Sequence, residues 1–335
     1  MKNETNKIIS SILSFIIALI FGAILLVLLG QNPFYVFQEM ITYSFRDVSD
    51  IADFLNKAIP LILCGYSIAL AYKTGLFNIG AEGQFLVGVI TAIFVGTLPI
   101  NNQFHPYISL ISGMIAGGLY GMIPGLLKAY FKVNEVVSSI LLNLIALKGV
   151  SIIVQYWFHG PKNSTATPSI QQTASIQITD FGLTLGIFIV LIVAILYHVI
   201  LKETKFGFEI MAVGNNQDAA NYAGINVKQK MVQTMFIAGM FAGIAGAIYG
   251  LELNKFSEIG HNLNYGFNGI VVAMLGNLST IGIIISGLII GCLNYMGTSL
   301  TSIPTELIDI IIGIIFIFTA IASVYTFKFR KKRRR

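Results

Sequence analysis

No Asp, Glu, Lys, Arg or His interrupts the chain between Lys7 and Glu39, and the stretches 83–104, 231–251 and 262–305 are equally free of them. Gaps of that length are what burial in lipid demands, because a charged side chain at the centre of a spanning helix costs about 2.5–3.5 kcal/mol. Gly and Pro divide the apolar background into about ten predicted helices, near 8–29, 58–73, 75–97, 107–130, 136–158, 181–201, 230–253, 265–278, 280–299 and 306–327. The pattern predicts an all-α polytopic membrane protein with one transmembrane domain over 1–335. Its helical bundle covers 8–327, with a loop at 202–230 and a basic tail at 328–335.

Composition agrees with that pattern. Of 335 residues 55% are hydrophobic and 11% charged, where a soluble domain carries about a quarter charged. Roughly ten spans at ~20 residues each leave no sizeable aqueous domain, which excludes most enzymes. The formal charge is +6, but seven of the 21 Lys and Arg residues fall between Lys328 and Arg335, so nucleic acid is not the expected partner of so short a tract. Anionic lipid attracts each such base by ~1 kcal/mol; membrane lipid and simple topology retention both remain readings of the tail. Cys64 and Cys292 sit in apolar stretches and imply no disulfide framework. The apolar run ending at Leu29 is longer than a signal-peptide core and no small-residue cleavage site follows, so it reads as a retained first span.

Loop charge sets an orientation. With the N-terminus in the cytoplasm, Lys2, Lys7, Lys73, Lys128, Lys132, Lys202, Lys205, Lys228 and Lys230 lie inside, against Arg46, Lys57, Lys162 and Lys255 outside. That bias favours cytoplasmic N- and C-termini. Lys148 falls inside a predicted helix and fits neither side.

Polar residues enter the apolar background at few places. Gly75–Gln84, GLFNIGAEGQ, carries Asn78, Glu82 and Gln84 among glycines. Glu82 is read either as a residue lining a pathway or as a helix N-terminal charge stabilised by the dipole. Lys73-Thr74 lacks the glycine of a phosphate-binding loop. Asn143 follows Ser139 by four residues, on one face of an apolar helix; a satisfied helix–helix contact is the plainer reading of it. The four histidines, 105, 159, 198 and 261, share no ligand spacing, and no catalytic or metal-binding set is evident. Gln31–Lys57 places Phe34, Phe37, Ile41, Phe45 and Val48 at helical spacing and predicts an amphipathic surface helix. Gly113, Gly117, Gly121 and Gly125 form a small-residue face, echoed by Gly239 and Gly243, for close helix packing. Phe77-Asn78 and Phe267-Asn268 form a faint internal echo that raises an inverted repeat. Within Thr204–Val227, Asn216 is placed to cap a short helix that Gly224 ends.

Four segments carry a resemblance: GLFNIGAEGQ at 75–84, NEVVSSILLNLIAL at 134–147, TKFGFEIMAVGNNQDAANYAGI at 204–225 and YGFNGIVVAMLGN at 265–277. They are similar to the permeases of ABC importers for nucleosides and simple sugars, related to ribose and branched-chain amino acid permeases. The resemblance runs in order from about residue 10 to 327. It implies half of a translocation pathway in a bacterial cell membrane, working with a second permease, a cytoplasmic ATPase and an extracytoplasmic substrate-binding lipoprotein. ATP and Mg are then expected at the ATPase, with no cofactor on this chain. It also implies that Asn78, Glu82, Gln84, Asn143, Phe267 and Asn268 line the pathway. Gly214, Asn215, Ala219, Ala220, Tyr222 and Gly224 match the family's coupling helix, while Met211 stands where many relatives carry Arg. From composition alone an ion-gradient transporter, with Glu82 as its proton-coupling carboxylate, stays open; a polytopic membrane enzyme would need clustered acid–base residues the sequence lacks.

Overall fold

The computed structural model describes residues 15–17, 19–28, 30–160, 165–179, 182–253, 255–258, 264–299 and 305–332. Residues 8–14 of the predicted first helix, Lys2, Lys7, Lys162, His261 and Arg333–Arg335 lie outside them. Among the described residues the chain is helical and forms no strand, only isolated bridges such as Ala166 to Glu258. In order the helices are α1 (Phe15–Leu28), α2 (Pro33–Ser44), α3 (Val48–Lys73), α4 (Ala81–Gly96), α5 (His105–Phe131) and α6 (Glu135–Tyr156). There follow α7 (Gly186–Glu203), α8 (Lys205–Asn215), α9 (Gln217–Tyr222), α10 (Val227–Ile248), α11 (Tyr265–Leu275), α12 (Thr280–Ser299) and α13 (Thr305–Lys332). Among the described residues five segments are long and apolar enough to cross a membrane unaided: α3, α5, α6, α7, and α10 with the π turn that follows it. The bent pair α1–α2 makes a sixth if it counts as one span.

Several boundaries depart from expectation for local reasons. The helix predicted at 58–73 begins ten residues earlier, so the predicted surface helix over Gln31–Lys57 divides between α2 and the first turns of α3. Gly30 at φ +75°, the Asn32 cap and Pro33 together turn the chain through 117° between α1 and α2. The helix predicted at 75–97 starts only at Ala81, because Gly75 at φ +77° ends the preceding one and side chains hold 75–80 in a non-helical path. The last turn before Leu253 is a π-helix, Tyr249–Leu253.

α3 is the hub. Most of its apolar window is buried, and it packs on α10, α11 and α12. Tyr66 of α3 and Tyr197 of α7 pack with tilted rings at 5.0 Å and donate their hydroxyls to the carbonyls of Thr280 and Leu278, fastening the α11–α12 turn to the core. On the other flank α4, α5 and α10 form a tight triad. The predicted glycine face explains it: a Cβ on Gly243 would stand 2.9 Å from the Cα of Gly117. With no hydrophobic drive between helices in lipid, that backbone approach is what holds the pair. Gly243→Val should therefore lower stability by at least about 1–3 kcal/mol, the usual cost of overpacking, measured by unfolding in detergent; unchanged stability would mean the crossing is slack.

Candidate functional site

Two short helices point their N-termini at each other inside the bundle. α4 follows the loop 75–80, and α11 follows Asn264, itself in the left-handed region at φ 56°. Glu82, in the first turn of α4, is buried, and its two oxygens accept the backbone N–H groups of Asn264 at 3.1 Å and Gly266 at 2.7 Å. One carboxylate thus supplies acceptors to the orphan donors of a second helix while sitting at the positive end of its own. Gly266 makes this approach feasible, since a Cβ there would collide with the backbone of Glu82.

The loop feeding α4 is fixed by amides. Asn78 and Gln84 exchange a reciprocal pair of hydrogen bonds, each 2.9 Å, and Asn78 also donates to the Ser67 hydroxyl at 3.0 Å. Asn143 of α6 donates to the carbonyl of Ile79 at 2.9 Å and accepts the N–H of Gly83 at 2.8 Å. A broken helix at this depth leaves backbone groups that must be satisfied within the protein, and Asn143 satisfies one on each side of the break. The Ser139 hydroxyl, buried beside Gly80, has no hydrogen-bond partner among the described residues.

The six predicted pathway residues therefore occupy one seam in two tiers. Asn78, Glu82, Gln84 and Asn143 are buried and paired, whereas Phe267 is 37% exposed and Asn268 half-buried, both in the first turn of α11. The two Phe-Asn dipeptides differ in setting: Phe77-Asn78 precedes its helix and Phe267-Asn268 lies inside one. Sequence reasoning passed over the aromatic cluster behind this turn, where Phe85 stacks on Tyr265 at 5.4 Å and Tyr249 lies within 5.6 Å of both rings. Three aromatics spread over 180 positions give no local pattern; only their placement near glycines at the ends of short apolar runs could have marked them.

The predicted short helix of the 202–230 loop is present. The Asn216 side chain accepts the N–H of Ala219 at 3.0 Å, and Gly224 at φ +81° closes the helix while Ile225 N–H reaches the Ala220 carbonyl. The six predicted coupling residues face different ways. Tyr222 is 92% exposed, Asn215, Ala219 and Gly224 are also exposed, and Ala220 turns inward onto Val213, Met231 and Met235. Gly214 closes on the end of α3: a Cβ on it would strike the Lys73 carbonyl and stand 3.0 Å from Gly75 N. The loop that holds the seam thus begins where α8 ends.

Glu209 clamps α8 to α10, with Lys230 Nζ at 2.7 Å. The hydrogen bond from Lys230 holds its carboxyl below the ordinary carboxylate range. A depressed folded-state pKa contributes stability above the unfolded value of about 4.3 and loses it as pH falls through the folded value. Glu209→Gln should then be less stable than the parent at pH 7, and the two should converge on acidification; a gap independent of pH would mean the charge contributes nothing.

The chain matches the family model described as branched-chain amino acid transport system / permease component over residues 50–320. It is 36% identical to the guanosine ABC transporter permease protein NupP of Bacillus subtilis, covering 98% of this chain and 97% of that one. To the nucleoside ABC transporter permease protein NupB of Lactococcus lactis it is 32% identical, over 97% and 93%. A second permease of that bacterium, the nucleoside ABC transporter permease protein NupC, is 25% identical over 76% and 83%. No solved structure matches the chain. With helices and no strand among its described residues, long apolar spans and a matched segment that contains both short helices of the seam, the chain belongs to the family of branched-chain amino acid transport system permease components.

Proposed function

We propose that this chain is one permease subunit of an ATP-driven importer of nucleosides, and that the first turn of α11 borders the substrate's path. Phe267 carries the reading: an aromatic ring beside the Asn268 amide stands at the open side of a seam in which Asn78, Glu82, Gln84 and Asn143 are already engaged. A ring offers a stacking face to a nucleobase, and an amide offers donors and acceptors to ribose hydroxyls. Asn78, Glu82, Gln84 and Asn143 form the wall behind it. The relatives named for guanosine and nucleosides support the substrate class.

Ten crossings, from α1, α3–α7 and α10–α13, with both termini in the cytoplasm of a bacterial cell, complete the proposed topology. The short helices α4 and α11 and the apolar parts of α12 and α13, Thr280–Met296 and Leu307–Thr319, cross as part of the bundle, and α4 and α11 are the interrupted members of an inverted repeat. Energy comes from a cytoplasmic ATPase that binds ATP and Mg and docks on Asn215, Ala219, Tyr222 and Gly224. An extracytoplasmic lipoprotein delivers the substrate and a second permease completes the pathway. Proton coupling through Glu82 finds less support, because both of its oxygens are occupied by α11.

The test reconstitutes the complete transporter and measures ATP hydrolysis with nucleosides and pentoses presented by the binding protein. Stimulation by nucleosides is expected; stimulation by free sugars alone would overturn the substrate class. Asn268→Ala should reduce nucleoside uptake severalfold while leaving assembly intact, and normal uptake would remove this turn from the path.

A further inference from the structure

α6 has two opposed faces. Ser139, Asn143, Ala146, Val150 and Val154 are buried, and Asn143 fastens the helix to the seam. On the opposite side Leu141, Leu144, Ile145 and Ile152 are exposed, and Lys148 stands among them. Little of the helix is buried, and among the described residues α6 packs mainly on α4 and α5.

Lys148 is misplaced for a lipid-facing surface. It lies 13 residues beyond Glu135 and 8 before Tyr156, which is ~20 Å and ~12 Å along the helix at 1.5 Å per residue. Glu135 at the first end pairs with Lys128, and Tyr156 and Trp157 at the other end suit an interfacial belt. A four-carbon stem does not carry the ammonium across ~12 Å of hydrocarbon. Among the described residues Lys148 makes no hydrogen bond or ion pair. The neighbouring position leaves room, since nothing lies within 4 Å of where a Cβ on Gly149 would stand.

We propose that the Lys148 face of α6 is covered by the second permease subunit, and that a carboxylate of that subunit at the same depth pairs with Lys148. A membrane-embedded cation is retained where an opposite charge desolvates with it, and a neighbouring glycine lets a second helix come close. Two permeases of one bacterium, NupB and NupC, both resemble this chain, in keeping with a paired assembly of unlike subunits. The inference rests on the importer reading above, from which the second subunit comes.

The test uses the whole transporter, purified through a tag on this chain. Photoreactive benzoylphenylalanine replaces Ile145 or Ile152, which flank Lys148 on the exposed face. Irradiation should give an adduct with the second permease at both positions; adducts with lipid alone, or with another copy of this chain, would overturn the assignment. Lys148→Glu should lower the recovered second permease at least about tenfold, as expected when a desolvated pair becomes two like charges, and Lys148→Arg should restore it. Equal recovery with Lys148→Glu would also overturn the proposal. A photoreactive variant complex that holds the ATPase and second permease but gives no adduct defeats this interface alone, whereas a parent chain that recovers neither subunit defeats the importer reading itself.

Discussion

Glu82→Ala is expected to give the largest loss of stability of any single polar change in the chain, together with loss of transport. The substitution leaves the N–H groups of Asn264 and Gly266 without their acceptor in a buried seam. Each hydrogen bond to a charged group contributes about 1.5–3 kcal/mol, so roughly 3–6 kcal/mol is removed where α4 and α11 meet. Glu82→Gln separates charge from shape. An amide keeps one acceptor but presents an NH2 group toward the second N–H, so two donors face each other. Unfolding in detergent should rank parent, Gln and Ala in that order, and nucleoside uptake by the reconstituted complex should follow. If Glu82→Gln matched the parent in both measurements, the carboxylate would not be the fastening between the two helices.

What could be read from the sequence was whatever had a local cause. The charge-free run at 231–251 announced α10, Asn216 and Gly224 announced the short helix α9, and glycines at four-residue spacing announced the α5–α10 crossing. The start of α3 escaped because a helix leaving the membrane changes from apolar to amphipathic without changing its backbone; Asp50 and Asp53 belong to the same helix as Leu61 and Leu63. The break before α4 was marked by its glycines, but not its extent, because that depends on Ser67 eleven residues upstream of Asn78 and on Asn143 sixty residues beyond Gly83.

The candidate site was legible as a set of residues and not as an arrangement. Asn78, Glu82, Gln84 and Asn143 stood out because amides and a carboxylate are costly in an apolar background. That cost does not say whether they face a substrate or a neighbouring backbone, and the four are engaged with Ser67, Ile79, Gly83, Asn264, Gly266 and one another. Gly266 drew no attention as a site residue, although its missing side chain determines how closely Glu82 approaches. Absence of a side chain becomes informative only when the partner surface is known.

Gly214→Ala should disconnect ATP hydrolysis from transport without separating the subunits. The added Cβ points at the Lys73 carbonyl, a backbone atom at the end of α3 that cannot rotate away, so α8 must move off the turn at Gly75. From that turn the chain runs through Phe77 and Asn78 to the Asn78–Gln84 amide pair, and from Glu82 to the first turn of α11. On the proposed coupling, a push on α8–α9 would reach Phe267 through this continuous path. In the complete complex Gly214→Ala is expected to retain the ATPase subunit and basal hydrolysis, while stimulation by substrate-loaded binding protein falls by about tenfold, the effect of a coupling free energy near 1.4 kcal/mol. Tyr222→Ala, on the exposed side of α9, should behave in the opposite way and lose the ATPase itself, because that ring makes the largest exposed contact surface of the segment. If Gly214→Ala kept full stimulation, α8 would not transmit through Gly75. If it lost the ATPase as Tyr222→Ala does, Gly214 would belong to the docking surface rather than to the joint behind it.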